Sequence, residues 1–129
     1  MADPDVRAVA ERLWTAIAAG DWAEAAALMH DDFVEEWPQS GERIVGRDDA
    51  LAIERNYPGG APAVAIRRIS TGGDLAVVEL IVTYGDGSRW DAVSVLRVRD
   101  GQVVHEIDYF GRPFRAPQWR AEWVDRVEP

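Results

Sequence analysis

The chain has 129 residues, of which 47% are hydrophobic and 29% are charged, and its formal net charge is −9. This length and composition are typical of one globular domain, which we place at residues 1–129. The acidic balance argues against binding to nucleic acid, and the lack of cysteine excludes disulfide bonds and thiolate chemistry.

The first five residues are acidic on balance, which is unlike a signal peptide. No apolar run approaches the ~18 residues that a membrane-spanning helix needs. We therefore expect a cytoplasmic protein that does not bind membranes.

The N-terminal half predicts helices. Apolar residues recur at helical spacing from Val6 to Ile17, and Gly20 ends this first helix. A second helix begins at Asp21, where Glu24 completes a capping box, and it runs to about His30.

A short strand and a third helix come next. Phe33–Trp37 is rich in residues that favour strands, and Pro38 ends it. Residues 39–46 form a loop or a minor hairpin. A third helix begins at Asp48 or Asp49 and continues to Tyr57.

From residue 63 onwards the pattern is that of strands joined by tight turns. Glycine-containing dipeptides, which are strong hairpin signals, separate four strand-like segments. The predicted strands are Ala63–Thr71, Leu75–Tyr84, Arg89–Val98 and Gln102–Phe110. We therefore predict an α+β domain, with N-terminal helices packed on a curved antiparallel four-stranded meander plus the short extra strand.

Turn length decides which side chains share a face of this meander. A two-residue turn at Asp86-Gly87 pairs Glu79 with Ser94, and a three-residue turn at residues 99–101 pairs Ser94 with Glu106. A two-residue turn at Asp100-Gly101 would instead shift the last strand by one residue. We choose the two-residue turn at Asp86-Gly87 and the three-residue turn at residues 99–101. These turns predict that one face of the sheet carries polar and aromatic side chains together: Glu79, Trp90, Ser94, Glu106, Asp108 and Phe110.

The opposite face is also apolar. It carries Val93, Val95, Val103, Ile107 and Tyr109. Because a sheet that is apolar on both sides needs both sides covered, we expect a homodimer that forms through this outer face.

Four short motifs and the order of elements resemble a known family. Ala-Gly-Asp-Trp at 19–22, Asp-Asp-Phe-Val at 31–34, Arg-Asp-Gly-Gln-Val-Val at 99–104 and Asp-Tyr-Phe at 108–110 are similar to the SnoaL-like, polyketide-cyclase-type family. That family belongs to the nuclear-transport-factor-2-like superfamily of cone-shaped α+β proteins. The superfamily includes cyclases, isomerases, dehydratases, epoxide hydrolases and non-catalytic binding proteins.

The resemblance implies a catalytic aspartate at or near Asp108. The ketosteroid isomerase pattern places its three functional side chains at about Leu13, Trp37 and Ser94, and none of these can do that chemistry. The resemblance therefore implies a cyclase, isomerase or dehydratase that needs no cofactor and acts on an apolar carbonyl compound.

Asp108 is the main catalytic candidate on chemical grounds too. A carboxylate buried between apolar strands, close to Glu106, can remove a proton next to a carbonyl group or return one. We place Glu106 nearer the solvated rim as a second catalytic candidate. A structural alternative remains, in which Asp108 only accepts hydrogen bonds from a tryptophan, an arginine or the backbone.

The remaining predicted site residues would form the walls of a pocket for an apolar small molecule. Six tryptophans in so short a chain favour an aromatic cavity or interface. We assign substrate binding to Glu35, Trp37, Glu79, Trp90, Ser94 and Phe110. The two histidines, His30 and His105, are far apart in sequence, so no metal site is predicted. A non-catalytic ligand-binding protein, or a dimeric interaction protein, with the same pocket is the alternative function.

Overall fold

The computed structural model describes residues 5–127. The helices are α1 Val6–Ala19, α2 Trp22–Ala27 and α3 Arg47–Arg55, with a 3-10 helix at Gln118–Trp123. The strands are β1 Met29–Trp37, β2 Glu42–Val45, β3 Ala63–Gly72, β4 Leu75–Thr83, β5 Arg89–Arg99 and β6 Gln102–Gly111. The predicted α+β architecture is confirmed, although the sheet has six strands rather than four and a short extra one.

The first two helices begin and end at capping residues. The Asp5 carboxylate accepts a hydrogen bond from the Arg7 amide at 3.0 Å, and Gly20 ends α1 with a positive φ of 70°. The Asp21 carboxylate accepts from the Glu24 amide at 3.1 Å and so caps α2, as predicted.

The second helix is shorter than the sequence predicted. It ends at Ala27, and His30 lies in β1 rather than at a helix end. The alanine-rich pattern favoured a longer helix, but Met29 pairs with Val103 of β6, and this tertiary pairing overrides the local preference.

The sheet holds β1 between the edge strand β2 and β6. The strand order is β2-β1-β6-β5-β4-β3, in which β1 runs antiparallel to β2 and parallel to β6. The last four strands form the predicted antiparallel meander. The parallel pair β1–β6 therefore joins the N-terminal half of the chain to the meander.

The predicted register between β4 and β5 is wrong by one residue. Glu79 pairs with Val93, and Val78 pairs with Ser94. The turn has three residues, 85–87, because the Tyr84 amide donates to the Ser88 carbonyl at 2.9 Å. A one-residue shift moves every side chain of a strand to the other face, so Glu79 lies on the outer face.

The predicted register between β5 and β6 is also wrong, but Ser94, Glu106 and Asp108 still lie on the same face of the sheet, as predicted. Asp100 and Gly101 form a two-residue turn with φ of 55° and 75°, so Arg99 pairs with Gln102. A bulge follows, in which Val98 pairs with Val103 and Arg97 with His105. The extra residue restores the original alternation, and Ser94 faces Asp108 instead of Glu106.

The hydrophobic core lies between the helices and the inner face of the sheet. Its largest fully buried apolar side chains are Leu13, Phe33, Val78, Leu96 and Val103. Val103, predicted on the outer face, is in this core because of the bulge. Within residues 5–127, no helix is long and apolar enough to cross a membrane.

Candidate functional site

A cavity of about 630 Å³ opens between α1, α3 and the inner face of the sheet. Six aromatic side chains line it: Trp14, Trp37, Tyr57, Tyr84, Trp90 and Phe110. Its acidic lining residues are Glu35, Glu42, Glu54, Asp86 and Asp108. The cavity is large enough for a ligand of drug-like size and is mostly apolar, as small-molecule sites usually are.

Three carboxyl groups meet at the sheet side of the cavity. Glu35, Glu106 and Asp108 are 7%, 2% and 6% exposed, and one oxygen from each lies within 4.8 Å of the others. Strand pairing causes this proximity, because Glu35 of β1 is paired with Glu106 of β6 and Asp108 follows two residues later on the same face.

A tryptophan donor joins two members of this carboxyl cluster. Trp37 Nε1 donates to Glu35 Oε2 at 3.0 Å and to Asp108 Oδ2 at 3.2 Å. The Trp37 ring meets the Phe110 ring edge to face, with centroids 6.3 Å apart. The indole is thus held in place, and its N–H stabilises negative charge on either carboxylate.

The surroundings of the carboxyl cluster favour the protonated forms of Glu35 and Glu106. Burial raises the pKa of Glu35 well above its usual value, and hydrogen bonding and repulsion from Asp108 raise it further. Burial also raises the pKa of Glu106, followed by the charges of Asp108 and Glu35. Within residues 5–127, Glu106 Oε1 and Asp108 Oδ1 have no hydrogen-bond donor unless a neighbouring carboxyl carries a proton. We therefore interpret the cluster as one that shares protons.

The structure brings most of the predicted site residues together. Glu35, Trp37, Trp90, Phe110 and Asp108 all line the cavity. Asp108 faces this mostly apolar cavity.

Two predicted site residues lie beneath the cavity wall rather than in it. Glu106 is almost fully buried, so its predicted position at a solvated rim is wrong. Ser94 is fully buried opposite Asp108, and its hydroxyl has no partner among residues 5–127. Glu106 is thus the buried member of the carboxyl cluster, and Ser94 is the cross-strand neighbour of Asp108.

Glu79 is not part of the cavity. Its carboxylate is half-buried and pairs with Arg68 on the outer face of the sheet. The sequence placed it inside because a two-residue turn was assumed between β4 and β5, whereas the turn has three residues.

Glu54 of α3 is a cavity residue that sequence reasoning missed. Burial raises the pKa of Glu54 to about 7, and the charge of Asp108 contributes to the shift. It follows the buried Ala50 and Leu51 at four- and three-residue spacing, which places it on the inward side of the helix. That spacing was the available signal.

The far end of the cavity holds an aromatic cluster in which the predicted Trp90 meets two tyrosines that were missed, Tyr57 and Tyr84. The rings of Tyr57 and Tyr84 are 5.9 Å apart, and those of Tyr84 and Trp90 are 5.1 Å apart and edge to face. Burial raises the pKa of Tyr84, and hydrogen bonding with Tyr57 raises it further, so the phenol stays neutral.

The carboxyl cluster is also the place where a cation could be considered. Carboxylate oxygens suit Mg²⁺, Ca²⁺ or Mn²⁺, and these three are close enough to converge on one ion. The Trp37 N–H, however, is directed at two of the same carboxyls and would oppose a cation there. The histidines lie elsewhere: His105 pairs with Glu36 at 2.9 Å, and His30 Nδ1 accepts from the Asp32 amide.

Comparison with known proteins shows the family. The family model of the SnoaL-like domain matches residues 10–106. A nuclear-transport-factor-2-like protein of unknown function from Burkholderia xenovorans LB400 is 40% identical, with a TM-score of 0.82 and 95% of each chain covered. No curated protein matches the chain.

Two further solved structures share the fold. A protein from Kribbella flavida DSM 17836, provisionally described as a ketosteroid isomerase, is 34% identical with a TM-score of 0.88, covering 96% of this chain and 90% of that one. An epoxide hydrolase of M. tuberculosis is 24% identical with a TM-score of 0.71, covering 82% of each chain, and shows the fold alone. The chain therefore belongs to the SnoaL-like family and has the nuclear-transport-factor-2-like fold.

Proposed function

We propose that this protein is a cofactor-independent enzyme that transfers protons on an apolar, carbonyl-bearing small molecule. One observation carries the proposal: Glu35 and Asp108 both line the apolar cavity and share the Trp37 N–H as a hydrogen-bond donor. The provisional name of the Kribbella flavida relative is compatible with acid–base work on a carbonyl compound.

The two carboxyls have complementary roles in this mechanism. Ionised Asp108 accepts a proton from the carbon next to the carbonyl group, and the C–H electron pair becomes the double bond of an enol. Protonated Glu35 donates its proton to the carbonyl oxygen, so no net charge forms on the substrate. In the second half of the reaction, Asp108 has to give up the proton that it accepted, and Glu35 has to take up a proton again.

The second half decides the reaction type. Return of the proton to a different carbon gives an isomer, attack of the enol carbon on a second carbonyl gives a ring, and loss of a β-hydroxyl group as water gives a dehydration product. All three start from the same first step. Cyclase, isomerase and dehydratase activity therefore remain within one proposal.

Glu106 is a positioning residue in this proposal. It does not line the cavity, and its carboxyl lies behind those of Glu35 and Asp108. Its raised pKa, caused first by burial, keeps a proton in the carboxyl cluster, so that the three groups need not carry three charges. The proton that Glu106 holds then limits the negative charge beside Glu35 and Asp108.

Hydrogen exchange on a simple ketone tests the proposal. With 2-tetralone or 2-decalone in D₂O, wild-type protein is expected to accelerate deuterium uptake next to the carbonyl, as measured by NMR. Asp108→Asn should lower this rate about 10²–10⁴-fold, the usual contribution of a general base. Glu79→Gln, which changes a carboxylate on the outer face, should leave it unchanged.

The opposite result identifies the alternative function. Exchange no faster than in buffer, with saturable binding of the same ketones, would indicate a binding protein whose carboxyls only orient a ligand. Wild-type exchange in Asp108→Asn would contradict the assigned base.

We also propose that a second copy of the chain covers the outer face of the sheet. Val93, Val95 and Ile107 on this face are only partly buried, and Tyr109 is 44% exposed. Trp119 and Trp123 in the C-terminal 3-10 helix are 73% and 72% exposed, which gives further apolar surface for a partner. The cytoplasm is our proposal for where the protein acts.

A further inference from the structure

The charged groups that line the cavity are all of one sign. Its ionisable lining residues are five carboxyl groups and two tyrosines, Tyr57 and Tyr84. No arginine or histidine of the part of the chain that the structure describes lines it. The cavity thus lacks a cationic side chain that could neutralise its acids or bind an anionic ligand.

Glu54 is placed beside the aromatic cluster of Tyr57, Tyr84 and Trp90. It lies three residues before Tyr57, which follows the end of α3 at Arg55, and both line the cavity; the charge of Glu54 acts on Tyr84. Glu54 takes part in none of the ion pairs among residues 5–127. A half-buried carboxylate beside three aromatic rings is therefore left without a counter-charge from the protein.

An ammonium group complements this combination of an unpaired carboxyl group and aromatic rings. The faces of aromatic rings attract cations, and an ammonium group held near tryptophan or tyrosine gains about 0.5–2 kcal/mol. A neutral ligand would leave the Glu54 carboxylate desolvated and unpaired, whereas an ammonium group would supply the missing charge. An anionic ligand would meet no cationic side chain in the cavity and would be repelled by those carboxyls that are ionised.

We infer that the cavity takes an amphipathic amine, with a protonated or quaternary nitrogen held by Glu54 against Tyr57, Tyr84 and Trp90. Resting on the proposed function, the carbonyl-bearing part of the same molecule reaches Glu35 and Asp108. The substrate class is then a lipophilic amino ketone or amino aldehyde rather than a neutral carbonyl compound.

A matched pair of probes tests the ammonium site without any turnover. Benzyltrimethylammonium and its neutral carbon analogue neopentylbenzene have the same shape and differ by one charge. Calorimetry on the wild-type protein should show at least about tenfold tighter binding of the ammonium probe. Phenylacetate, as an anionic probe, should bind more weakly than either.

Three variants test the location of the site. Glu54→Gln should lose about tenfold in affinity for the ammonium probe while its affinity for neopentylbenzene stays the same. Glu11→Gln, which removes an exposed carboxylate on α1 outside the cavity, should change neither affinity. Asp108→Asn should keep the preference for the ammonium probe.

The outcomes separate this inference from the proposed function. Equal affinity for both probes, no binding of the ammonium probe, or an unchanged preference in Glu54→Gln would overturn the amine site, even if ketone exchange is catalysed. A clear ammonium preference without ketone exchange would uphold the amine site and overturn the proposed enzyme.

Discussion

Glu35 of β1 and Glu106 of β6 occupy paired positions on adjacent parallel strands, and both carboxyls lie on the helix-covered side of the sheet. Parallel pairing at this point brings two acids, 71 positions apart, into one buried cluster. Such a pair is stable only if protons are shared or a donor is supplied; Trp37 donates to Glu35, and the raised pKa of Glu106 favours its protonated form. The predictions below follow from that balance.

The free energy of unfolding should fall as pH rises toward neutrality. Glu54 has a folded-state pKa of about 7 against an ordinary value of 4.5, so the folded state keeps a proton that the unfolded chain releases. This contribution is present below pH ~4.5 and is lost as pH rises through ~7. Urea unfolding of wild type and Glu54→Gln between pH 5 and 8 should show that the variant loses about 2 kcal/mol less stability. If the free energy of unfolding changed with pH in the same way in both proteins, Glu54 would not be a buried carboxyl group that lacks a counter-charge.

Glu106→Gln should melt at a higher temperature than wild type near pH 8. The substitution removes a carboxyl group whose ionisation is costly in a nearly fully buried position, and we expect a rise of about 3–8 °C. The difference should shrink as pH falls, because protonation removes the same charge from Glu106 in the wild type. Glu79→Gln, on the outer face, is the control and should change little. A lower melting temperature at pH 8 would show that the Glu106 carboxylate is a structural acceptor.

Trp37→Phe should raise the pKa of Glu35 further. The indole N–H donates to Glu35 and thereby lowers the pKa that burial has raised, so its loss favours the protonated acid. Carbon-13 NMR titration of the side-chain carboxyls measures the shift directly. Trp90→Phe is the matched control, because Trp90 Nε1 donates to Ser88 rather than to a carboxylate. An unchanged Glu35 titration in Trp37→Phe would contradict the bridging role.

Added Mg²⁺, Ca²⁺ or Mn²⁺ at millimolar concentration should not raise the melting temperature. A metal ion would have to displace the protons that burial holds on Glu35 and Glu106, and it would meet the Trp37 N–H. Ketone exchange should likewise be insensitive to EDTA. A rise in melting temperature that Glu106→Gln abolishes would instead identify a cation site in the carboxyl cluster.

Tyr109→Arg should convert the proposed homodimer into single chains. It places a charge in the middle of the outer apolar face, where Tyr109 is substantially exposed. Light scattering after gel filtration should give twice the mass of one chain for wild type and the mass of one chain for the variant. Thr15→Arg, on the exposed side of α1, should remain dimeric. A wild-type protein with the mass of a single chain would overturn the proposal.

The sequence predicted those elements whose ends are marked by nearby residues. The four strands of the meander were placed to within one residue at each end, because turn dipeptides mark their ends. The pairing of β1 with β6 could not be predicted in the same way, since nothing near Met29 in the sequence identifies Val103 as its partner. The carboxyl cluster was consequently predicted only in its β6 half, with Glu35 included as a wall residue.

Register was the second limit of sequence reasoning. A dipeptide such as Asp86-Gly87 does not distinguish a two-residue turn from a three-residue turn, and that difference moved Glu79 out of the predicted site. The bulge in β6 had no local signal either. Glu54 was missed because a helical position contributes to a cavity only through its tertiary neighbours.

The bulge in β6 makes tolerance to changes in chain length uneven along this strand. Val104 is the surplus residue, so its deletion would leave a regular ladder in which Glu106 and Asp108 keep their partners on β5. Deleting Ile107 would instead move the side chains on one side of the deletion to the opposite face of the sheet, so either Glu106 or Asp108 would leave the cluster. Single-residue deletions in β6 should therefore spare the chemistry at the bulge and abolish it at Ile107, between the two acids.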